Sequence, residues 1–479
     1  MGFLFVKILM ISIALTFIAF GASIGSAVAT TIGFGLGSAV GFYTVWRCMA
    51  APQANWSICA LHGGATLASY FGGALFTIIT FGMDEIIQSG YTTHSGPELI
   101  FLASLLVALY SIILVAFGLY ENRYWNREFE NLPQVPPTRN TAIFLLVLLA
   151  SIQAFYLLSG QVTVQGFKVG PGGEVPIVAS LVSGLSMPIL GVCGYVIGDK
   201  EKRYGMALFI LCIVLVPIET AWAFSFGRRA LLYSFVAFFG AFLWSRETKV
   251  ISVRFLVLLV VVGVAMYYLS NFFVAIRLQA GLSHVDVQQK TLLQNFGGAS
   301  ALMDEGKREV LMAHFKNLQT RFFILGYLGD LIGGTRADSP LLGLAAVSAV
   351  VKVLPRLIFP WKVQFNQEIG SDEDLVNPQF GLQIFDAPGS VLVSAYADFL
   401  WLGVLIYPFI ILSMGIVMSR LVRFARDRLM KVYIMAFGLI MFLAAEESLS
   451  AYLVGIRSLM ILVVGMFLWR LFLSQRRTW

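Results

Sequence analysis

The sequence predicts an all-α polytopic membrane protein of about twelve transmembrane helices with one large external helical loop. Three observations carry that prediction. Of the 479 residues, 58% are hydrophobic and 12% charged, roughly half the charged share of a soluble domain. Apolar runs of about 20 residues, the length that crosses a bilayer as a helix, recur along the chain. Lysine and arginine concentrate in alternate gaps between those runs. Such a chain cannot be a soluble enzyme, a disordered protein or a secreted disulfide scaffold.

Apolar runs bounded by polar or Gly/Pro clusters place helices at about 3–21, 27–46, 56–82, 98–119, 141–158, 176–198, 205–224, 230–244, 255–276, 395–419, 432–447 and 452–470. The first leads directly into the second without a cleavage site, so no removable signal is expected. The glycines of GFGLG at 33–37 fall inside the second span, where close helix packing explains them better than a phosphate loop. The eighth run is short for a bilayer, so a neighbouring residue or two should join it.

Orientation follows from the cations. With the N-terminus in the cytoplasm and strict alternation, nineteen Lys and Arg fall in cytoplasmic segments. The short external loops hold three, Lys168, Arg228 and Arg229. Both termini are therefore expected in the cytoplasm, and the net charge of +7 is read as topology rather than as nucleic-acid binding. The run 340–358 is apolar enough to suggest another span, but it contains Lys352 and Pro355 and would put the cations of 420–431 outside. A membrane-surface or re-entrant element buried against protein is expected instead.

The chain then divides into helices one to nine (1–276), a large external segment (277–390) and helices ten to twelve (391–479). The external segment holds ten basic and eleven acidic residues. Within it Leu311, Phe315, Leu318 and Phe322 recur on one helical face, either packed on the bundle or lying at the interface beside lipid headgroups. No internal repeat is visible, which disfavours transporters built from inverted repeats.

Cys48, Cys59, Cys193 and Cys212 form no CxxC and sit in or beside apolar runs, as packed hydrophobes do. The four histidines share no ligand spacing, so no metal site is expected. Ser371-Asp372-Glu373-Asp374 contains a DxD, but an external acidic run reads as solvated loop. Charges at membrane depth are costly and usually face a cavity or a partner. Those that stand out are Glu219 in VPIETAWAF, Arg228 and Arg229 in a tight external turn, Arg277 after span nine, Asp398 in SAYADFLWLG, and Glu446, Glu447 and Arg457 around the last external turn. In this topology all of them lie toward the outer leaflet. Each carboxylate could instead pair with an arginine and fix packing. Together they suggest an anionic, membrane-bound substrate, because the arginine fork donates two parallel hydrogen bonds to phosphate.

Ser225-Phe226-Gly227-Arg228-Arg229-Ala230-Leu231-Leu232 resembles the "SR-G/A" turn of the O-antigen ligase and polysaccharide polymerase (Wzy-like) superfamily. Leu354-Pro355-Arg356 through Pro360-Trp361-Lys362 is similar to a Pro-Arg…Pro-x-Lys pattern of repeat-unit polymerases. Pro388-Gly389-Ser390 through Tyr396-Ala397-Asp398-Phe399 and Leu402-Gly403 resembles that family's exit from the external loop into the next span. The resemblance covers roughly 205–420. Where the ligase branch often carries a histidine, this chain has Asp386 and Pro388-Gly389-Ser390, which tilts the likeness toward the polymerases.

The resemblance implies a GT-C-like membrane glycosyltransferase of the bacterial inner membrane. It would join polyprenyl-diphosphate-linked oligosaccharides into exopolysaccharide or O-antigen on the external face and release polyprenyl diphosphate. Arg229, Arg277, Arg228, Arg356 and Arg321 are the expected diphosphate ligands. Asp386, Asp398, Glu447 and Glu219 are the carboxylates from which an acceptor base would come. No cofactor is implied. Membrane lipid and a chain-length co-polymerase are the expected partners beside the substrate. A ligase-type transfer or a lipid-linked glycan flippase is the alternative.

Overall fold

A computed structural model describes residues 2–50, 56–83, 96–130, 139–163, 166–167, 185–199, 204–246, 271–276, 297–301, 323–334, 339–354, 372–382, 389–425 and 428–475. It also describes residues 264, 268, 269, 308, 309, 312, 359, 361, 362, 364, 365 and 370. The helices in chain order are α1 (Gly2–Ser23), α2 (Ala27–Ala50), α3 (Ile58–Phe81), α4 (Pro97–Glu130) and α5 (Arg139–Leu158). A two-strand antiparallel pair follows, β1 (Val162–Thr163) with β2 (Gly166–Phe167). Then come α6 (Pro188–Gly198), α7 (Met206–Phe226), α8 (Arg228–Arg246), α9 (Ile324–Gly333), α10 (Leu344–Val353) and α11 (Asp372–Phe380). The last are α12 (Val391–Phe399), α13 (Gly403–Phe424), α14 (Arg428–Leu443) and α15 (Leu449–Gln475).

Among the described residues, six stretches are long and apolar enough to cross a membrane: Leu4–Ser23, Ala27–Ala50, Ile58–Phe81, Pro97–Asn122, Met206–Phe226 and Val391–Phe424. This is an all-α, multi-pass architecture. The eighth predicted run gains two residues at each end to become α8. The tenth is not one rod. Leu400 adopts φ 52°, a 3-10 turn occupies Leu400–Leu402, and a Cβ on Gly403 would stand 1.8 Å from the Ala395 carbonyl oxygen. Only glycine lets the start of α13 press so closely on α12.

The chain forms two compact units, each gathered from separate stretches. One comprises 1–131, 318–420 and 441–457; the other comprises 132–317, 421–440 and 458–479. In the first unit, α1 packs on α2, α2 on α3, α3 on α4, and α4 closes on α1, with α9 laid against α3 and α4. The GFGLG glycines serve the packing role expected of them. A Cβ on Gly33 would lie 2.7 Å from the Ala14 carbonyl oxygen, and one on Gly37 would overlap the Phe71 ring.

The start of α3 is held by a carboxylate from another helix. Glu121 of α4, fully buried, accepts from Ser57 Oγ at 2.7 Å and from the backbone N–H of Ile58 and Cys59 at 2.9 Å each. Ser57 Oγ accepts in turn from Ala60 N at 3.0 Å. The first N–H groups of a helix have no partner within it, and a negative charge there also meets the positive end of the helix dipole. Room for the carboxylate comes from glycine: a Cβ on Gly415 of α13 would lie 2.7 Å from Glu121 Oε1, and one on Gly118 2.8 Å from Ser57 Oγ.

In the second unit α6 packs on α7 and α8, and α7 also contacts α5. A Cβ on Gly194 of α6 would come 2.1 Å from the Phe238 carbonyl oxygen of α8, so these helices touch backbone to backbone. All four cysteines are buried and free, as their apolar surroundings predict.

Glu121→Ala should cost about 3 kcal/mol of stability, because buried donors are left without an acceptor. Gly415→Val should be comparably damaging through a clash with the carboxylate. Unfolding of the purified variants in detergent measures both; midpoints equal to wild type would contradict this account of the α3 start.

Candidate functional site

Helix α10 occupies the middle of the 340–358 run. Its 10 residues extend about 15 Å, half the thickness of a bilayer core, so it cannot span. A short helix away from water must satisfy its end groups within the protein, and charged side chains do so here at both ends. At the N-terminus Asp398 of α12, fully buried, accepts from Ala345 N at 2.9 Å and Ala346 N at 3.0 Å. Tyr407 of α13 donates its hydroxyl to Asp398 Oδ2 at 2.5 Å. Leu341 N and Leu342 N donate to the carbonyls of Ala397 and Asp398, which fastens the approach to α10 onto the end of α12.

The C-terminal carbonyls are met by cations. Lys362 donates to the carbonyl of Lys352 and, at 2.9 Å, to that of Leu354. Arg457 of α15 donates from a guanidinium nitrogen to the Val353 carbonyl at 2.7 Å. Lys352 pairs with Asp372 at 2.9 Å, so the first aspartate of the DxD run is an ion-pair partner at the start of α11. Anion at the N-terminus and cations at the C-terminus match the helix dipole at both ends. Burial, and then the charge of Arg457, hold the Lys362 ammonium below its ordinary range.

The sequence-predicted residues separate as follows. Arg277, Arg321, Arg356 and Asp386 lie outside the described residues. Asp398 is a helix anchor with both oxygens engaged. Glu447, with Glu446, lies in the turn between α14 and α15. The Phe442 carbonyl contacts His62 Nδ1 at 3.3 Å, and Tyr452 meets the same ring at 5.5 Å between centroids. His62 is in the second turn of α3. From there α3 continues for nineteen residues to Phe81, about 29 Å. The turn therefore lies beside the start of α3 rather than beside its end.

In the second unit Arg228 and Arg229 open α8 immediately after Gly227, whose φ of 116° makes the break between α7 and α8 in a conformation that favours glycine. Glu219 of α7 is buried. It accepts from Gln153 Nε2 of α5 at 2.9 Å, and its other oxygen has no hydrogen-bond partner. Phe224 and Leu231, on either side of the arginine turn, share an apolar cluster with Phe273, Ala275 and Ile276. Phe224 and Phe273 meet edge to face at 5.7 Å. The stretch that ends just before Arg277 is thus packed against the turn that carries Arg229.

Sequence reading did not single out Glu121, the Asp398–Tyr407 pair or Asp330 of α9. Asp330 is fully buried, and neither of its carboxylate oxygens has a hydrogen-bond partner among the described residues. Burial pushes its pKa up to about 8. Among the described residues no group of three or more His, Cys, Asp or Glu could hold a metal ion.

Two outcomes are expected. Asp398→Ala should lower stability by about 2 kcal/mol through loss of the α10 cap, with Asp398→Asn losing less because one acceptor remains. Asp330 retains a proton in the folded state that the unfolded chain releases at ordinary carboxylate pH. Stability should therefore fall as pH rises from about 4 to about 8. Asp330→Asn should flatten that dependence and raise the thermal midpoint at pH 8 but not at pH 4; parallel pH profiles for the two proteins would refute it.

No protein-family model, curated protein or solved structure matches this chain.

Proposed function

We propose that the protein is a membrane glycosyltransferase that polymerises polyprenyl-diphosphate-linked oligosaccharide repeat units on the external face of a bacterial inner membrane. The reading keeps the twelve-span, GT-C-like topology with cytoplasmic termini. The observation that carries it is the apolar cluster joining Phe224 and Leu231 to Phe273 and Ile276. It supports a common site for two arginines that lie far apart in sequence, Arg229 at the head of α8 and Arg277 just beyond Ile276.

In this reading the donor diphosphate rests on Arg229 and Arg277, with Arg228 as a further ligand; Arg356 and Arg321 are candidate diphosphate ligands within the other unit. Fixed cations in a water-poor site favour the leaving diphosphate as its charge develops. The acceptor is a sugar hydroxyl on a second lipid-linked glycan. Among the carboxylates Asp386 leads as the base, because Asp398 has both oxygens on α10 and Tyr407, Glu219 already accepts from Gln153, and Glu447 sits in a turn beside the start of α3. The apolar helix faces supply a wall for the polyprenyl chain, and a chain-length co-polymerase is the expected protein partner.

Purified protein incubated with lipid-linked repeat units should yield a ladder of longer glycans. Single units left unchanged by folded protein would overturn the reading in favour of a flippase, and transfer of one glycan to a different acceptor without a ladder would favour a ligase. Arg229→Lys and Arg277→Lys keep the charge but lose the planar fork, and each should slow polymerisation about tenfold or more. Wild-type rates in both would remove them from the phosphate role.

A further inference from the structure

The cationic end of α10 holds more positive charge than a helix terminus requires. The carbonyl end of a helix carries about half a negative charge, yet Lys362 and Arg457 both converge on it. Asp372 balances only Lys352. Lys362 spends two of its three N–H groups on carbonyls. Among the described residues Arg457 makes one hydrogen bond, and its Nε–H is buried without a partner. Both side chains are half-buried rather than sealed, so a ligand can reach the Lys362 ammonium and the terminal N–H groups of Arg457, though not the sealed Nε–H. Donors without acceptors beside two crowded cations describe a site for a multivalent oxyanion.

The surroundings describe what that anion is attached to. Leu344, Val347 and Val350 recur every three residues along α10 and are exposed, giving the helix an apolar stripe that leads to its cationic end. Trp361, next to Lys362, is exposed and meets Phe359 and Phe365 edge to face at 6.1 and 6.2 Å. An apolar track ending in fixed cations, with aromatic rings beside them, fits an amphiphile with a phosphate head better than a free anion. We propose that Lys362 and Arg457 bind the diphosphate head of an isoprenoid lipid, with its chain along the Leu344–Val350 stripe. This rests on the polymerase reading, which needs two lipid-linked substrates at once. The end of α10 takes the diphosphate of one of the two.

Native mass spectrometry and calorimetry of the full chain in neutral detergent, with farnesyl diphosphate as probe, test this. Wild type should bind two molecules. Lys362→Gln and Arg457→Gln should each weaken one site about tenfold or more and leave the other intact, while Arg229→Gln should remove the other. Inorganic diphosphate should bind the α10 site more weakly than farnesyl diphosphate, and excess phosphatidylglycerol should not displace the probe. Both Gln variants also lose a helix cap, so Val350→Gln, which adds no charge, provides a readout independent of capping. It should weaken farnesyl diphosphate at this site without affecting inorganic diphosphate.

Two bound molecules in folded Lys362→Gln and Arg457→Gln at wild-type affinity would overturn the assignment, as would an unchanged Val350→Gln. Displacement by phosphatidylglycerol would replace it with ordinary headgroup binding. A glycan ladder with only the Arg229 site occupied would overturn this inference and leave the polymerase reading standing. Two-site binding with no ladder would do the reverse.

Discussion

A helix that ends inside a membrane protein leaves backbone groups with no water to bind, and this constraint organises the described parts of the first unit. Two helices meet it with a carboxylate borrowed from another element. Glu121 closes the start of α3 and Asp398 closes the start of α10. At the other end of α10 the orphan carbonyls go to Lys362 and Arg457. Each is a cheap use of charge, because the helix dipole repays part of the desolvation that burial demands. Removing any one of them leaves its partners unsatisfied, which is dearer than the interaction is worth.

That constraint separates the roles of the scarce charges. A carboxylate with both oxygens committed to backbone N–H and a tyrosine hydroxyl, as in Asp398, is a positioning residue. It holds α10, and through α10 the carbonyls on which Lys362 and Arg457 converge. The cations differ, because their donors outnumber the acceptors among the described residues. Asp330 and Glu219 are of a third kind, with buried oxygens that no donor meets.

The helical class, the glycine packing in α2 and the failure of 340–358 to span were all legible from residue pattern. Each rests on local facts: apolar run length, small residues at close spacing, a lysine and a proline in a run otherwise fit to cross. The turn at Gly227-Arg228-Arg229 was legible for the same reason. Less was visible at Asp398, whose cost in an apolar segment was plain while its partner was not, since Ala345 and Ala346 are fifty residues away. Glu121 gave no signal, because at the edge of a polar segment it reads as an ordinary interfacial charge. Nothing in the pattern around Glu446 and Glu447 named the neighbour of their turn, which the His62–Phe442 contact sets beside the start of α3.

By itself the sequence determined that this chain lives in a membrane as helices, where its cations concentrate and which charges are too costly to be incidental. Those properties follow from transfer free energies that each segment carries alone. Tertiary structure decided what the costly charges do. Whether a buried carboxylate caps a helix, pairs with an amide or stands without a donor depends on which backbone groups lie within about 3 Å, and those come from segments distant in the chain. Composition set the number of exceptions, and packing gave each its partner.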